Sequence, residues 1–463
     1  MSSLRRIPVL VILVIALVGT GLATTLHHPT NPSALPSGLS VSVNAESTAL
    51  YCTGLSSGPG AGEVSFYNTA NSSRTLHVNV VSSRGKTWSG TLTLAAHASG
   101  NLVPGTLDRP PLRPKARVPY VVSYGVGVEI SGGGVVAEEV AAGGHAEVPC
   151  ASAGTTRWFA TGFDTLVGSS ANVSVYNPTG TPAVMNVSVY TANGFSAPEA
   201  FQGVSVPAHS ELDLDLGQQV VNTANIGVGV KVLRGALEIV GVQDSHGTLS
   251  YDQGLYAKSK DAWFPNVTTA QSATAEIRVA NPNGTAANVT VDVKLGNFKV
   301  PRQTTTVPPF STGLITITPN PAIPVAGYAT LTLRSNVPVV SGLATGTEKW
   351  IALTSPQAPS DAYLVRNFSG LGFDAASVTN ASTRSVTLTL VSYDSSDPNV
   401  VTVAGGVTLA GGATEKLSSL TSSFMAQPDD TYLISTTKPV LVLSLTQPSH
   451  PRGLYVVATL DGR

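Results

Sequence analysis

Apolar and polar residues alternate in short runs along most of the chain, and four of these runs share one signature. Each has apolar residues four and two positions before an asparagine, with a polar residue between them. A period of two places the apolar residues on one face, as in a half-buried β-strand. The runs are residues 64–68, 173–177, 277–281 and 376–380 (VSFYN, VSVYN, IRVAN and ASVTN), and their asparagines are spaced by 109, 104 and 99 residues. This spacing predicts a repeated unit of about one hundred residues.

The asparagine of each run begins a turn that leads into a second strand. In the second and third copies the turn reads Asn-Pro-Thr-Gly from Asn177 and Asn-Pro-Asn-Gly from Asn281. Proline in second place presets φ and glycine in fourth place tolerates the exit, which favours a type I turn. Ten residues after the asparagines, each in an alternating run, stand Val78, Val187, Val291 and Leu390. Each copy therefore predicts a β-hairpin.

The second copy gives the fullest set of strands. Alternating runs there fall at about 155–160, 170–177, 183–191, 201–206, 211–216, 226–233 and 235–244. This density of short strands predicts an all-β chain of immunoglobulin-like or fibronectin-like β-sandwiches. A β-propeller is disfavoured, because its blades have about half the length of the repeat. The predicted repeats span residues 47–152, 153–258, 259–358 and 359–463.

The N-terminal residues follow a different pattern. Residues 7–26 form an apolar run without a charge, directly after Arg5 and Arg6. Such a run has about the length that spans a bilayer core, and flanking basic residues stay on the cytoplasmic side. We predict an N-terminal membrane anchor at residues 1–26, uncleaved because the run is long for a signal peptide, with small residues at 21–23 as the alternative cleavage site. A Pro- and Ser-rich spacer at residues 27–46 would then separate the bilayer from the repeats outside the cell.

Composition argues against one class of partner. Charged residues make up 11% of the chain, well below the roughly 25% of an average soluble domain. The formal net charge is -1, so little counterion release would drive binding to nucleic acid. We therefore expect no nucleic-acid partner.

The chain has two cysteines, Cys52 and Cys150, near the start and the end of the first predicted repeat. In an exported chain a disulfide between them is the expected state. This bond would tie the ends of the first repeat together. Two cysteines alone are not expected to form a metal site, because zinc usually takes four ligands.

Two short motifs match catalytic signatures, but their surroundings do not fit the chemistry. Residues 54–58 (GLSSG) match the nucleophile-elbow pattern, which requires a strand before the serine and a helix after it. A Gly/Ser/Pro-rich loop surrounds them instead. Residues 435–438 (STTK) match S-x-x-K, which needs one helical turn, but they lie in a strand-rich region. Neither motif predicts a catalytic serine.

The remaining candidate groups are acids and histidines. Residues 211–216 (ELDLDL) alternate acid and leucine, so the acids share one strand face; a solvated face is favoured over a calcium site between sandwiches. His97 and His209 occupy one repeat position, where the other copies have Phe310 and Gly412, which favours a corner residue. We therefore predict no catalytic, cofactor-binding or metal-binding residue, and expect that the protein is not an enzyme.

The layout resembles a family of uncharacterised actinobacterial envelope proteins that have an N-terminal anchor, a Pro-rich spacer and Ser/Thr/Val-rich repeats. The residues that carry the resemblance are Trp158-Phe159, Trp263-Phe264, Tyr176-Asn177-Pro178 and Asn281-Pro282. The first and fourth copies lack the Asn-Pro pair. The family implies tandem β-sandwich repeats behind a membrane anchor, and it implies no activity or catalytic residue.

These observations favour a structural or interaction protein of the cell envelope, because rigid strands suit the presentation of loops to a partner. The expected partners are an unidentified envelope protein or cell-wall polymer, with the lipid bilayer contacted through residues 7–26. The first alternative is a cell-wall or carbohydrate-binding array, which needs exposed aromatic side chains. The second alternative is an enzyme with a site between repeats, which needs polar groups that converge from different copies.

Overall fold

The computed structural model describes residues 47–56, 62–96, 98–107, 122–140, 147–268, 274–295, 298–317, 323, 328–347, 350–354, 356, 362–367, 376–393, 401–420, 431–437, 441–445 and 454–459. The chain divides into two compact units, residues 1–37 and 38–463, and every described residue lies in the second. The anchor predicted at residues 1–26 and the spacer predicted at 27–46 lie outside the described residues. In the part that is described, no helix has the length and apolar character needed to cross a membrane.

β-Strands make up nearly all of the regular structure that is described, which confirms the all-β class. We group consecutive strands into four segments. The first holds β1 (Ala49–Ser56), β2 (Glu63–Asn68), β3 (Arg74–Ser82), β4 (Thr87–Leu94), β5 (Ser99–Leu102), β6 (Ser123–Ile130), β7 (Val135–Val140) and β8 (Glu147–Pro149). The second holds β9 (Arg157–Phe163), β10 (Ser169–Asn177), β11 (Ala183–Thr191), β12 (Gly194–Ser196), β13 (Val204–Val206), β14 (Ser210–Asp215), β15 (Ile226–Arg234), β16 (Glu238–Ser245) and β17 (Thr248–Asp252).

The other two segments have the same sequence of strands with small changes. The third holds β18 (Ser259–Thr268), β19 (Thr274–Asn281), β20 (Ala287–Leu295), β21 (Phe298–Lys299), β22 (Gln303–Val307), β23 (Ser311–Ile317), β24 (Tyr328–Thr347) and β25 (Trp350–Thr354). The fourth holds β26 (Ala362–Asn367), β27 (Ala376–Asn380), β28 (Val386–Tyr393), β29 (Val401–Leu409), β30 (Thr414–Lys416), β31 (Thr431–Ser435), β32 (Leu441–Leu445) and β33 (Leu454–Thr459), with one helical turn, α1 (Leu417–Leu420).

Each segment contributes two antiparallel sheets, here called a and b. In the first segment, sheet 1a has the order β1-β6-β3-β4 and sheet 1b the order β5-β2-β7-β8. In the second, sheet 2a has the order β12-β11-β15-β9, with β13 also on β11, and sheet 2b the order β14-β10-β16-β17. In the third, β24 passes through both sheets: its first half pairs with β18 and β20 in sheet 3a, and its second half with β19 and β25 in sheet 3b. In the fourth, sheet 4a has the order β29-β28-β31-β26-β33 and sheet 4b the order β30-β27-β32.

This strand order differs from that of an immunoglobulin domain. There, the sixth and seventh strands are neighbours in one sheet. Here β6 and β7 lie in opposite sheets, because the chain crosses between them through a short turn in which Gly132, Gly133 and Gly134 all have positive φ. The long strand β24 makes the same crossing without a break.

A separate apolar core fills the space between the two sheets in each of the first three segments. The first core contains Phe66 and Tyr124, the second Trp158 and Met185, and the third Phe264. Apolar residues at alternate strand positions supply these cores, as the period-two pattern predicts.

The repeated asparagines are fully buried and bind two parts of the chain together. Asn177 Nδ2 donates to the carbonyl oxygens of Thr181 (2.9 Å), Val206 (3.1 Å) and Pro207 (2.9 Å). Its Oδ1 accepts from Thr179 N at 3.0 Å. The equivalent asparagines bond in the same way and are Asn68, Asn281 and Asn380. Each amide thus joins the turn after the second strand of its segment to the corner that precedes β5, β14, β23 or β30.

Successive segments contact each other through the faces of their sheets. Strands of sheet 1a contact sheet 2b, those of 2a contact 3b, and β18 of sheet 3a contacts β27 and β32 of sheet 4b. The final strand, β33, contacts β7 and β8 of the first segment. The sheets of successive segments therefore stack face to face. The stack closes on itself, because the last segment contacts the first.

Candidate functional site

Several buried acidic and polar side chains lie where sheet 1a meets sheet 2b. Tyr176 of β10 lies against Gly125 and Gly127 of β6. A Cβ atom on Gly125 would be 2.5 Å from Tyr176 Cδ2 and 2.6 Å from Glu211 Oε2, and one on Gly127 would be 2.8 Å from Tyr176 Oη. The two glycines thus make room for side chains of the second segment.

A β-bulge in β1 supplies hydrogen-bond donors to this contact. The pairing of β1 with β6 shifts register between Cys52 and Leu55, and Gly54 has a φ of 86°. The two backbone N–H groups at the bulge turn to carboxyl groups instead of the neighbouring strand: Thr53 N donates to Glu139, and Gly54 N donates to Glu211 Oε1 at 3.3 Å. The hydroxyl of Thr53 also lies 2.8 Å from both carboxyl oxygens of Glu211.

The acids around the bulge come from two sheets. Glu211, Tyr176 and Glu238 are neighbours across β14, β10 and β16 of sheet 2b. Their exposed fractions are 5%, 4% and 1%, and that of Glu139, on β7, is 1%. Asp213 accepts a hydrogen bond from Ser174 two positions further along β14. We call Glu139, Glu211, Asp213 and Glu238 the carboxyl cluster.

Burial governs the protonation of the carboxyl cluster. Removal from water raises the pKa of Glu139, Glu211 and Glu238 well above the usual range, and that of Asp213 is also raised. Like charges add to this effect: Asp213 and Glu139 raise the pKa of Glu211, and Glu139 raises that of Glu238. Hydrogen bonds from Thr53 and Gly54 act in the opposite direction but do not outweigh burial.

The phenol of Tyr176 responds to the same surroundings. Burial, with smaller contributions from Glu211 and Tyr51, raises the pKa of Tyr176 to about 12. Its ring centroid lies 6.4 Å from that of Tyr51 on the facing sheet. The phenol is therefore held in its neutral form between the two segments.

Equivalent positions form the contacts between the later segments. One position of the repeat is occupied by Gly125, Gly227 and Thr330 in the first three segments. Their strand partners are Val81, Tyr190 and Lys294, and each of these lies thirteen residues after a repeated asparagine. The facing rows of cross-strand neighbours are Glu211, Tyr176 and Glu238 in sheet 2b; Thr312, Ala280 and Val340 in sheet 3b; and Thr414, Thr379 and Val442 in sheet 4b. Only the row of sheet 2b contains carboxyl groups.

The disulfide adjoins the carboxyl cluster. Cys52 and Cys150 are bonded, as expected, and both are buried. The carboxylate of Glu139 and the two sulfur atoms lie within 4.8 Å of one another. Three such groups have the composition of a metal site, but both sulfur atoms are used in the disulfide, so this form of the protein offers an ion only the carboxylate.

The prediction that the acids of residues 211–216 lie on a solvated face is wrong for the first of them, Glu211. Glu211 is buried against the first segment, because the face that carries it forms the contact with sheet 1a. Asp215 instead accepts a hydrogen bond from Gly217 N and caps a short 3-10 turn. The alternation of acid and leucine predicts which residues share a face, but not what covers that face.

The other sequence candidates are not brought together. Ser56, in the middle of GLSSG, ends β1, and Ser57 and Gly58 lie outside the described residues. Ser435 lies in β31, and its partner Lys438 is also outside them. His209 has a φ of 47° and its equivalent Gly412 a φ of 67°, so this position serves a left-handed corner.

Residues 133–254 match a protein family of unknown function (DUF5719). This stretch is about a quarter of the chain and contains all four residues of the carboxyl cluster. The bulge at Thr53 and the two glycines of β6 lie before it. No curated protein matches the chain.

Sequence reasoning missed Glu139, Glu238 and the two glycines. A signal was present: acids interrupt the apolar runs VVAEEV and ALEIV, and glycine alternates with valine in both YGVGV and IGVGV. An acid in a run otherwise suited to a buried strand indicates a contact that the single strand does not reveal. Glycine at alternate positions of a strand indicates close approach of another chain segment.

Replacement of Gly125 by alanine is expected to destabilise the contact between the first two segments. The added methyl group would lie 2.5 Å from Cδ2 and 2.8 Å from Cγ of Tyr176, so the ring or the backbone would have to shift. Overpacking of this kind costs about 1–3 kcal/mol, measurable as a lower urea midpoint. Gly90→Ala is the matched control, because a Cβ on Gly90 of β4 meets nothing within 4 Å. Equal effects of the two changes would contradict the tight contact at Gly125.

Proposed function

We propose that this protein is a non-catalytic scaffold or interaction protein of the cell envelope. The observation that carries the proposal is that acidic side chains of the carboxyl cluster are buried and hydrogen-bonded within the protein. Glu211, the first of the acids that the sequence offers for chemistry, is buried between sheets and accepts hydrogen bonds from the hydroxyl group of Thr53 and the backbone N–H of Gly54 in the neighbouring segment. Acidic side chains that are bonded in this way stabilise the contact between two segments and are not available to a substrate.

The proposal includes four copies of one two-sheet unit behind a membrane anchor at residues 7–26. Support for the repeats comes from the buried asparagines, which make the same set of hydrogen bonds at four places. Support for export comes from the apolar N-terminal run and from the disulfide, which is typical of chains outside the reducing cytoplasm. The units would be sandwiches with their own strand order.

One observation favours the carbohydrate-binding alternative. Phe195 is 51% exposed and Phe310 is 45% exposed, and their ring centroids lie 6.3 Å apart. The ring of Tyr190 adjoins Phe195 at a centroid distance of 5.5 Å. Phe310 also has a φ of 54°, a conformation that a bulky residue rarely adopts. Exposed aromatic rings of this kind are suited to stacking on sugar rings.

A binding experiment separates the candidates. Tagged full-length protein is extracted in mild detergent and incubated with purified cell-wall polymer and, separately, with cross-linked envelope extract. A single cross-linked envelope protein supports the scaffold proposal, whereas binding to polymer that is lost in Phe195→Ala/Phe310→Ala supports the carbohydrate-binding alternative. Turnover of generic ester or peptide substrates that a serine or histidine substitution abolishes would contradict both.

Export has its own test. Intact cells from which the outer layers have been removed are treated with protease. We expect residues beyond 38 to be degraded while a cytoplasmic control protein survives. Protection of the chain until the membrane is lysed would contradict the proposed orientation.

A further inference from the structure

The contact between the first two segments differs chemically from the equivalent contacts later in the chain. Sheet 2b presents Glu211 and Glu238 at positions that hold Thr312 and Val340 in sheet 3b. In the last of these contacts, Thr414 Oγ1 lies 2.9 Å from Thr330 Oγ1 and 2.8 Å from Thr379 Oγ1. The facing rows of the later contacts thus hold no carboxyl group, and the charged side chains that bond across those contacts include Arg278, which donates to Gly162 O, and Lys294, which donates to Gly412 O. This type of contact therefore does not require the two glutamates.

The acids of the first contact are buried with incomplete hydrogen bonding. Glu139 Oε2 and Glu238 Oε2 are buried and have no hydrogen-bond partner among the described residues. An ionised carboxylate is costly to bury unless donors bond to its oxygen atoms. A protonated carboxyl group is neutral and therefore costs less to bury. Among the described residues, the charged groups that act on these acids are other acids, since Glu211 faces Asp213 and Glu139, and Glu238 faces Glu139.

The described elements around these acids contribute further acids and phenols. Tyr51 lies on the facing strand β1, Tyr176 stands between the two glutamates, and Tyr251 of β17 adjoins Glu139 and Asp213. Glu129 of β6 acts on Tyr51 from further along the same face. His77, the strand partner of Glu129, is exposed.

We propose that the contact between sheets 1a and 2b is a proton-controlled latch, which holds when Glu139, Glu211 and Glu238 are protonated and is released when they ionise. The moving parts are the first segment and the stack that begins with sheet 2b. The disulfide joins Cys52 to Cys150 within the first segment, so this segment stays intact when the contact opens. The bulge at Thr53 and Gly54 is the point at which the two parts separate.

The direction of the pH dependence follows from the linkage between protonation and opening. When the latch is closed, the pKa of each glutamate lies well above its ordinary value of 4.5. When the latch opens, water restores the ordinary pKa. The closed form therefore binds more protons than the open form above about pH 4.5, and its stability falls as pH rises. The latch is fully stabilised below that pH and loses stability until the pH passes the raised values.

Hydrogen exchange at defined pH values tests the latch in the full-length protein. We expect the protection factors of residues 49–56 and 123–130 to fall by about tenfold per pH unit for each carboxyl that ionises on opening, between pH 5 and pH 8. Residues 226–234, which lie at the equivalent contact, where the facing row holds no carboxyl group, serve as the internal control. Their protection factors should change by less than about threefold over the same range.

Neutral variants complete the test. Glu211→Gln/Glu238→Gln mimics the protonated form, and we expect it to abolish most of the pH dependence at residues 49–56 and 123–130. Glu211→Thr/Glu238→Val, which introduces the residues of sheet 3b, should do the same and is the second choice where the first does not fold. The latch is disproved when wild-type protection is independent of pH, when residues 226–234 lose protection equally, or when a folded neutral variant keeps the full pH dependence.

Discussion

Replacement of both Cys52 and Cys150 by alanine is expected to lower the free energy of unfolding of the first segment by about 4–5 kcal/mol, according to the chain-entropy model of a disulfide. The bond closes a loop of 98 residues, so its loss restores much conformational freedom to the unfolded chain. Alanine is the appropriate replacement, because both sites are buried and serine would add unpaired hydroxyl groups. Urea unfolding followed by circular dichroism measures the change.

Wild-type protein refolded in the presence of a thiol reductant is the matched comparison. It lacks the bond but keeps the native sequence, so its first urea transition should coincide with that of the alanine variant. A variant that unfolds at the same urea concentration as the oxidised wild type would show that the disulfide does not stabilise the first segment.

The change Asn177→Asp is expected to destabilise the second segment by roughly 4 kcal/mol or more at neutral pH, since it removes the two N–H donors that serve three carbonyl oxygens and places a buried, charged carboxylate oxygen against them. The amide nitrogen serves the carbonyl oxygens of Thr181, Val206 and Pro207, and a carboxylate cannot donate to any of them. The substitution keeps the shape of the side chain, so the loss reports on donation and charge rather than on volume. Thermal unfolding monitored by calorimetry measures it.

The same substitution at an exposed turn is the control. Asn193 lies between β11 and β12 and is exposed. Asn193→Asp should change stability by less than about 0.5 kcal/mol. Comparable losses at the two positions would mean that the buried amide is not a structural centre of the turn.

The role of these asparagines shows how far the sequence alone reaches. The VSVYN pattern predicts the strand, its buried face and the turn that starts at Asn177, and the structure has β10 and that turn in these places. It does not predict that the amide reaches across to Val206 and Pro207, because nothing local to the turn specifies which corner will approach it. Long-range partners of a buried polar group depend on the order of strands in the sheets.

The strand order was the second feature that the pattern could not supply. Alternation with a period of two assigns residues to the faces of a strand. It does not show that Glu238 and Glu211 lie close together, because that follows only from the pairing of β16 and β14 with β10. The prediction of a solvated face for residues 211–216 fails at Glu211 for the same reason. The structure covers several outer sheet faces with the next segment, so acids on them become buried.

The length of the repeat also bears on how the sheets pack. The blades of a propeller have about half the length of the repeat, which disfavours a propeller with one blade per repeat. Each segment contributes two sheets, so the length per sheet is that of such a blade, and the sheets also pack face to face. Stacking of this kind buries residues on both faces of the central strands, as in β7, where all six residues are buried.

Small-angle X-ray scattering of residues 38–463 tests most directly whether the segments form one stacked body. A compact chain of this length has a radius of gyration of about 22 Å. We expect a value close to this, because each segment contacts the next and β33 returns to the first segment. Four sandwiches joined end to end like beads would give about twice that radius or more, and such a value would contradict the stack.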